Sequence, residues 1–165
     1  MRNIPSRWNW VTTLAAVLVL AGWRAIAASG TSSDDAEIRA VIARYTAAAH
    51  APNLATVMEC YAVTDSLVVY DVSNSPFRGV AAVTKDWADF FGAMRAITLD
   101  LRDIEVTVSI PGTFAYVHFI ERASMLRETD GAVIVNDNLR ATQIYAKRKG
   151  RWVIEHEHKS KSQSG

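Results

Sequence analysis

The sequence predicts an α+β domain, with helices packed on one face of a curved, mainly antiparallel sheet. Three observations carry this. Apolar residues recur at helical spacing in three segments before residue 95. From Ile97 onward, strand-like segments alternate with Pro111-Gly112, Asp130-Gly131 and Lys149-Gly150 turns. Helices first and consecutive strands afterwards place the helices together on one side of the sheet.

The chain opens on a segment that reads as a leader. Arg2 and Arg7 give it a basic start, Val11 to Trp23 is a mostly apolar run of 13 residues, and Ala25-Ile26-Ala27 offers small residues at the positions a signal peptidase reads. A spanning helix needs about 20 apolar residues, and Arg24 closes this run early. Cleavage after Ala27 is expected, with an uncleaved anchor as the alternative and the only membrane link. No cysteine follows the run, which disfavours a lipoprotein. Export to the periplasm or beyond is the implied destination. Cleavage would remove three arginines and no acid, taking the 18 basic side chains to 15 against 17 acidic. The net +1 of the full chain thus belongs to the leader, and nothing in the charge favours nucleic acid.

Residues 28–33 form a small polar linker, and a single domain is expected over 34–160, followed by a polar tail at 161–165. Asp34 and Asp35 suit the start of a helix. Ile38, Val41, Ile42, Tyr45 and Ala49 then repeat at helical spacing until Pro52-Asn53. A short second helix carries Leu54, Val57, Met58 and Tyr61 inward. Cys60, the single cysteine, excludes an intrachain disulfide and reads as a buried thiol. Leu67 to Val72 is a strand, and Ser73 to Arg78 a loop. Gly79 to Met94 is a helix whose stripe of Val83, Trp87, Phe90, Phe91 and Met94 covers a sheet. Strands follow around 104–108, over Phe114 to Met125, over Val133 to Lys147, and from Gly150 onward.

The last strand draws attention to a site. Period-two alternation puts Trp152, Ile154, His156 and His158 on one face, with Val153, Glu155 and Glu157 opposite. An aromatic, an aliphatic and two imidazoles in a row read as the wall of a pocket. A three-residue turn, Arg148-Lys149-Gly150, would pair Thr142 with His156 and Arg140 with His158. It is preferred over a two-residue turn because polar then meets polar. In the third long strand, Tyr116, His118 and Ile120 share a face opposite Ala115, Val117 and Phe119, and the sequence leaves open which is inward.

The order of these motifs resembles the SnoaL-like and ketosteroid-isomerase-like branch of the nuclear-transport-factor-2-like superfamily. The residues concerned are Ile42-Ala43-Arg44-Tyr45, Asn53-Leu54, Val68-Val69-Tyr70-Asp71, Arg78 to Val83, Arg140-Ala141-Thr142 and Lys149 to Ser160. The resemblance covers about 34–160. It implies a cone-shaped roll of three helices on a curved sheet, a deep apolar pocket, frequent dimerisation, and no fixed reaction.

The resemblance also gives roles to matching positions. Asp71 matches the aspartate that acts as general base, and its strand face, shared with Leu67 and Val69, would raise its pKa by desolvation. It reads equally as an aspartate capping the loop that follows. Tyr45 matches a tyrosine that donates to a developing oxyanion, and also reads as a core tyrosine. Thr142 stands where that branch has a protonated aspartate, which counts against true ketosteroid isomerase activity.

The candidate catalytic set is therefore Asp71, Tyr45, His156 and His158. Arg140, Thr142, Trp87, His118 and Trp152 are the candidate substrate-binding residues. A His-x-His metal site has no diagnostic spacing here, and neither metal nor cofactor is expected. The expected partners are a small apolar molecule, polyketide- or steroid-like, and a second copy of the chain. An isomerase- or cyclase-type enzyme that removes a proton next to a carbonyl is the first reading. A binding or assembly domain is the alternative.

Overall fold

The computed structural model describes residues 33–72 and 75–161. The expected leader, and most of the linker and tail, lie outside the described residues. Helix α1 occupies residues 33–50, α2 is Leu54–Met58 and α3 is Gly79–Ala93. Six strands follow or intervene: β1 (Val68–Tyr70), β2 (Phe77–Arg78), β3 (Met94–Ile110), β4 (Phe114–Arg127), β5 (Val133–Arg148) and β6 (Arg151–Ser160). They form one curved, unclosed sheet in the order β2-β1-β6-β5-β4-β3, antiparallel except where β1 runs parallel to β6. Among the described residues no helix is long and apolar enough to cross a membrane.

Each helix begins where its sequence allows. Asn53 caps α2, its side chain accepting from the Thr56 amide at 3.0 Å. Gly79 opens α3 at φ +78°, a conformation that L side chains adopt only under strain, and this turns the chain from β2 into the helix. The expected loop at Ser73 to Arg78 therefore ends in a short strand. Phe77 and Arg78 pair with Val69 and Val68. Met94, expected in the helix, begins β3 in extended conformation instead.

The core lies between the helices and the inner sheet face. Ile38, Val41 and Ile42 of α1, and Val83 and Trp87 of α3, pack against Ala115, Val117 and Phe119 of β4 and Ile154 of β6. The face of β4 left open by its sequence is thus settled, with Ala115, Val117 and Phe119 inward. Asp34 ties this core together at one end. Its carboxylate accepts from the Gly112 amide (2.6 Å), the Trp152 indole (3.1 Å) and Lys147 Nζ (3.3 Å). Burial works to raise its pKa, but these bonds outweigh it and hold the pKa below the usual carboxylate value. Cys60 is buried, and burial pushes its thiol up to about 11, so it is the inert core thiol expected.

The β5–β6 hairpin departs from expectation in two steps. Its turn has two residues, Lys149 and Gly150, both at positive φ, and Arg148 pairs with Arg151. A bulge then follows Ile154. Tyr145 pairs with Ile154 but Ile144 pairs with His156, so Glu155 is the extra residue. Glu155 is held by Arg148, whose Nε donates to Oε1 at 2.6 Å. One inserted residue exchanges the two faces of everything beyond it. Trp152 and Ile154 point into the core before the bulge, and Glu157 and Lys159 take that side after it.

Candidate functional site

The cavity lies between α1, α3 and the inner face of the sheet and measures ≈ 270 Å³. Its apolar wall comes from Leu99 of β3, Ala123 and Met125 of β4, Leu139 of β5, Val69 of β1 and Phe90 of α3. Its aromatic side is Tyr45, edge-on to Tyr61 at 6.3 Å and to Trp87 at 5.6 Å between ring centroids. Such edge contacts are worth about 1 kcal/mol each beyond burial.

A charged cluster crosses the inner end of this cavity. Glu121 and Glu157 are 2% and 1% exposed, and Lys159 lies between them. Lys159 Nζ is 3.3 Å from Glu157 Oε1 and reaches both oxygens of Glu121, at 3.1 Å to Oε1 and 3.0 Å to Oε2. Only Oε1 of Glu121 lies in hydrogen-bonding geometry. Oε2 has no hydrogen-bond partner among the described residues. Lys159 also donates to the Tyr45 hydroxyl at 3.1 Å, while Tyr61 donates to Glu157 Oε2 at 2.5 Å. Desolvation alone would lower the Lys159 pKa, but the charges of Glu121, Glu157 and Asp71 overcome it and hold the amine protonated. Burial, then the charge of Glu157, pushes both tyrosines well above the usual phenol value. They are therefore neutral donors.

Two further carboxylates stand where the cavity meets solvent. Asp71 follows β1, and Asp86 lies on the inner side of α3, one turn before Phe90; both line the cavity and both are half-buried. Burial, followed by repulsion from Asp71 and Asp89, raises the Asp86 pKa to about 6. Asp86 thus exchanges a proton near neutrality beside a second carboxylate, an arrangement suited to general acid and base roles.

The structure gathers Asp71, Tyr45 and Trp87 on the cavity wall. It separates the remaining expected residues from it. His156 and His158 point to the outer face because of the bulge, where both rings stack edge-on against Tyr70. Arg140, Thr142 and His118 share that outer face. Thr142 pairs with His158 rather than His156, His118 Nδ1 lies 3.1 Å from Thr142 Oγ1, and Arg140 donates to the Lys161 carbonyl. Trp152 is buried on the inner side but bonds Asp34 and does not line the cavity. Desolvation, then repulsion from His158, lowers the His156 pKa.

The residues missed were Asp86, Glu121, Glu157 and Lys159. Two of them carried a signal. Asp86 falls between Val83 and Phe90 on the apolar stripe of α3, and Glu121 interrupts the inward series Phe119, Ala123, Met125. Glu157 and Lys159 carried none, because their side depends on the bulge.

The profile of the SnoaL-like domain family matches residues 38–163. A nuclear transport factor 2-like superfamily protein from Salmonella enterica serovar Typhimurium LT2 superposes with TM-score 0.74 at 21% identity, covering 81% of this chain and 95% of its own. A nuclear transport factor 2-like protein of unknown function from Pseudomonas putida KT2440 gives 0.66 at 25% identity, covering 79% and 87%. A ketosteroid isomerase-like protein from Erwinia carotovora atroseptica SCRI1043 gives 0.65 at 18%, covering 78% and 96%. No curated protein sequence matches the chain. The family profile spans the helices, the sheet and the cavity described above, and the chain belongs to the SnoaL-like domain family of the nuclear-transport-factor-2-like superfamily.

Proposed function

We propose that the protein is an acid–base enzyme that moves a proton next to a carbonyl of a small apolar compound. The observation that carries this reading is the pair Asp71 and Asp86 at the edge of an apolar cavity, facing an ammonium. Asp71 takes the proton from the carbon next to the carbonyl, and the electron pair moves onto oxygen. Lys159 and the Tyr45 hydroxyl line this cavity and can stabilise that oxygen, whereas Thr142 and Arg140, expected among the substrate-binding residues, lie on the outer face. Asp86, with a pKa of about 6, returns a proton to carbon, and proton exchange between the two carboxyls resets the site. The likeness to a ketosteroid isomerase-like fold is consistent with such chemistry. The leader supports a site of action outside the cytoplasm, and the family resemblance supports a homodimer.

The test is deuterium exchange at the α-carbons of a panel of cyclic ketones. Wild type should accelerate exchange over buffer, Asp71→Asn should abolish the gain, and Asp86→Asn should remove its dependence on pH near 6. Binding of the panel without exchange would overturn the catalytic reading.

A binding domain without chemistry is the second reading. It is favoured by the Tyr45 and Tyr61 hydroxyls, which already engage Glu157 at 3.5 and 2.5 Å. A ligand that stabilises the fold and is recovered unchanged would support it.

A further inference from the structure

One end of the domain brings two turns and the start of α1 together. Gly112 of the β3–β4 turn donates to Asp34 of α1, and the Lys147 amide, beside the β5–β6 turn, donates to the Thr113 carbonyl at 3.0 Å. The β5–β6 turn is the basic run Lys147-Arg148-Lys149-Gly150-Arg151. Lys147 is neutralised by Asp34 and Glu37, and Arg148 by Glu155. Lys149 and Arg151 are exposed and have no ion-pair partner among the described residues. In the neighbouring turn Ile110 is 55% exposed, and Pro111 and Gly112 are exposed beside it.

Folding does not account for this tip. Arg148 pairs directly across the hairpin with Arg151, and like charges facing each other weaken a strand pair. Lys149 holds φ +49°, a conformation that suits Asn, Asp or Gly far better than Lys. Both departures add positive charge at the same place. Local rules broken together in this way mark a functional surface.

The position of the tip indicates what it meets. The apolar run expected as a leader or anchor ends at Trp23, outside the described residues, and residues 24–32 can span at most about 30 Å to the start of α1. While that run is attached, the tip is the end of the domain tethered near the membrane. The cavity is lined by Glu121, Ala123 and Met125 of β4 and by Glu157 and Lys159 of β6, in the halves of those strands remote from the two turns. Its carboxylates are thus far from the basic tip, and the domain is polarised from end to end.

We propose that this end docks on an anionic lipid surface, with Lys149 and Arg151 at the headgroups and Ile110 in the interface below them. Basic side chains near such a surface are attracted to it, and a neighbouring apolar side chain adds burial. Docking turns the acidic cavity end away from the lipid and leaves its entrance free. This is a membrane contact separate from the leader, and it does not depend on the cavity being catalytic.

The experiment places a polarity-sensitive thiol dye on the full chain at Thr113→Cys, beside the tip, or at Thr129→Cys, in the turn at the other end of β4. Cys60 is buried and stays unlabelled. Vesicles are phosphatidylcholine alone, or phosphatidylcholine mixed equally with phosphatidylglycerol. The Thr113→Cys label should shift to the blue on the mixed vesicles only, added salt should reverse the shift, and the Thr129→Cys label should not respond. Lys149→Asn with Arg151→Thr should weaken the response about 25-fold, at about fivefold per basic side chain. The same pair should raise thermal stability, since it relieves the strained turn and the facing arginines. Ile110→Ser should weaken the response further. Every variant carries the same leader, so differences between them report the tip. Equal shifts on both vesicles, equal shifts at both labels, or an unchanged response after Lys149→Asn with Arg151→Thr would overturn the proposal. A shift with soluble heparin but none with vesicles would assign the tip to a soluble polyanion and overturn it too.

Discussion

Lys159 Nζ lies 3.3 Å from Glu157 Oε1, two residues back on the same strand, and on the cavity side of the sheet the Glu157 carboxylate is buried while the Lys159 side chain is mostly so. Removing one partner of such a pair leaves a desolvated charge behind, at a cost of about 3–5 kcal/mol. Lys159→Met should lose stability of this order in denaturant titration. A loss below about 1 kcal/mol would mean that water already reaches the cluster.

Asp86 gives the stability curve an unusual sign. Its pKa is raised from 3.8 to about 6 on folding, so the folded state binds its proton more tightly than the unfolded chain does. The contribution of this group is therefore present at low pH and is lost as pH rises between about 4 and 6. Asp86→Asn should be stabilised relative to wild type above pH 6, and the difference should shrink towards pH 4. Denaturant midpoints of the two proteins at pH 4, 5, 6 and 7 provide the measurement.

Asp34 runs the other way. Its three donors hold its pKa below the unfolded value, so its contribution is present above about 3.8 and fades as pH falls below that. Asp34→Ala leaves the Gly112 amide, the Trp152 indole and Lys147 without this acceptor. A loss of about 3 kcal/mol is expected, with ligand affinity in the cavity unchanged. Weakened binding at full folding would show that the two ends of the core are coupled.

The histidine face provides a direct check on the bulge. His156→Ala and His158→Ala should each change ligand affinity less than about twofold, because both rings lie on the far side of the sheet against Tyr70. An effect of tenfold or more for either would place an imidazole in the cavity and contradict the register.

The sequence was legible wherever one period ran unbroken. The stripes of α1 and α3 and the alternation of β4 gave helices, strands and the helices-then-sheet order. Tyr45 and Trp87 reached the cavity because each lies on an unbroken helix, and Asp71 because it directly follows the regular strand β1. The polar wall was not legible, for a geometric reason. A bulge depends on how two strands meet, and Glu155 looks like any other alternating residue until Tyr145 pairs with Ile154 and Ile144 with His156. That one slip moved two histidines out and brought Glu157 and Lys159 in. Together with the two-residue turn, it moved Thr142 from opposite His156 to opposite His158.

The parallel pairing of β1 with β6 has a consequence for synthesis. Val69 pairs with Glu157, its neighbour in space but 88 positions away, and Tyr61 bridges to Ile154. The helices and the β3–β5 meander can form from local contacts, whereas β1 must wait for the latest strand in chain order. Until β6 arrives, Glu121 faces water and keeps its hydration. Lys159 therefore enters the interior together with the counter-charges that make its burial tolerable, so the nascent chain never has to hold a lone ion in a closed core.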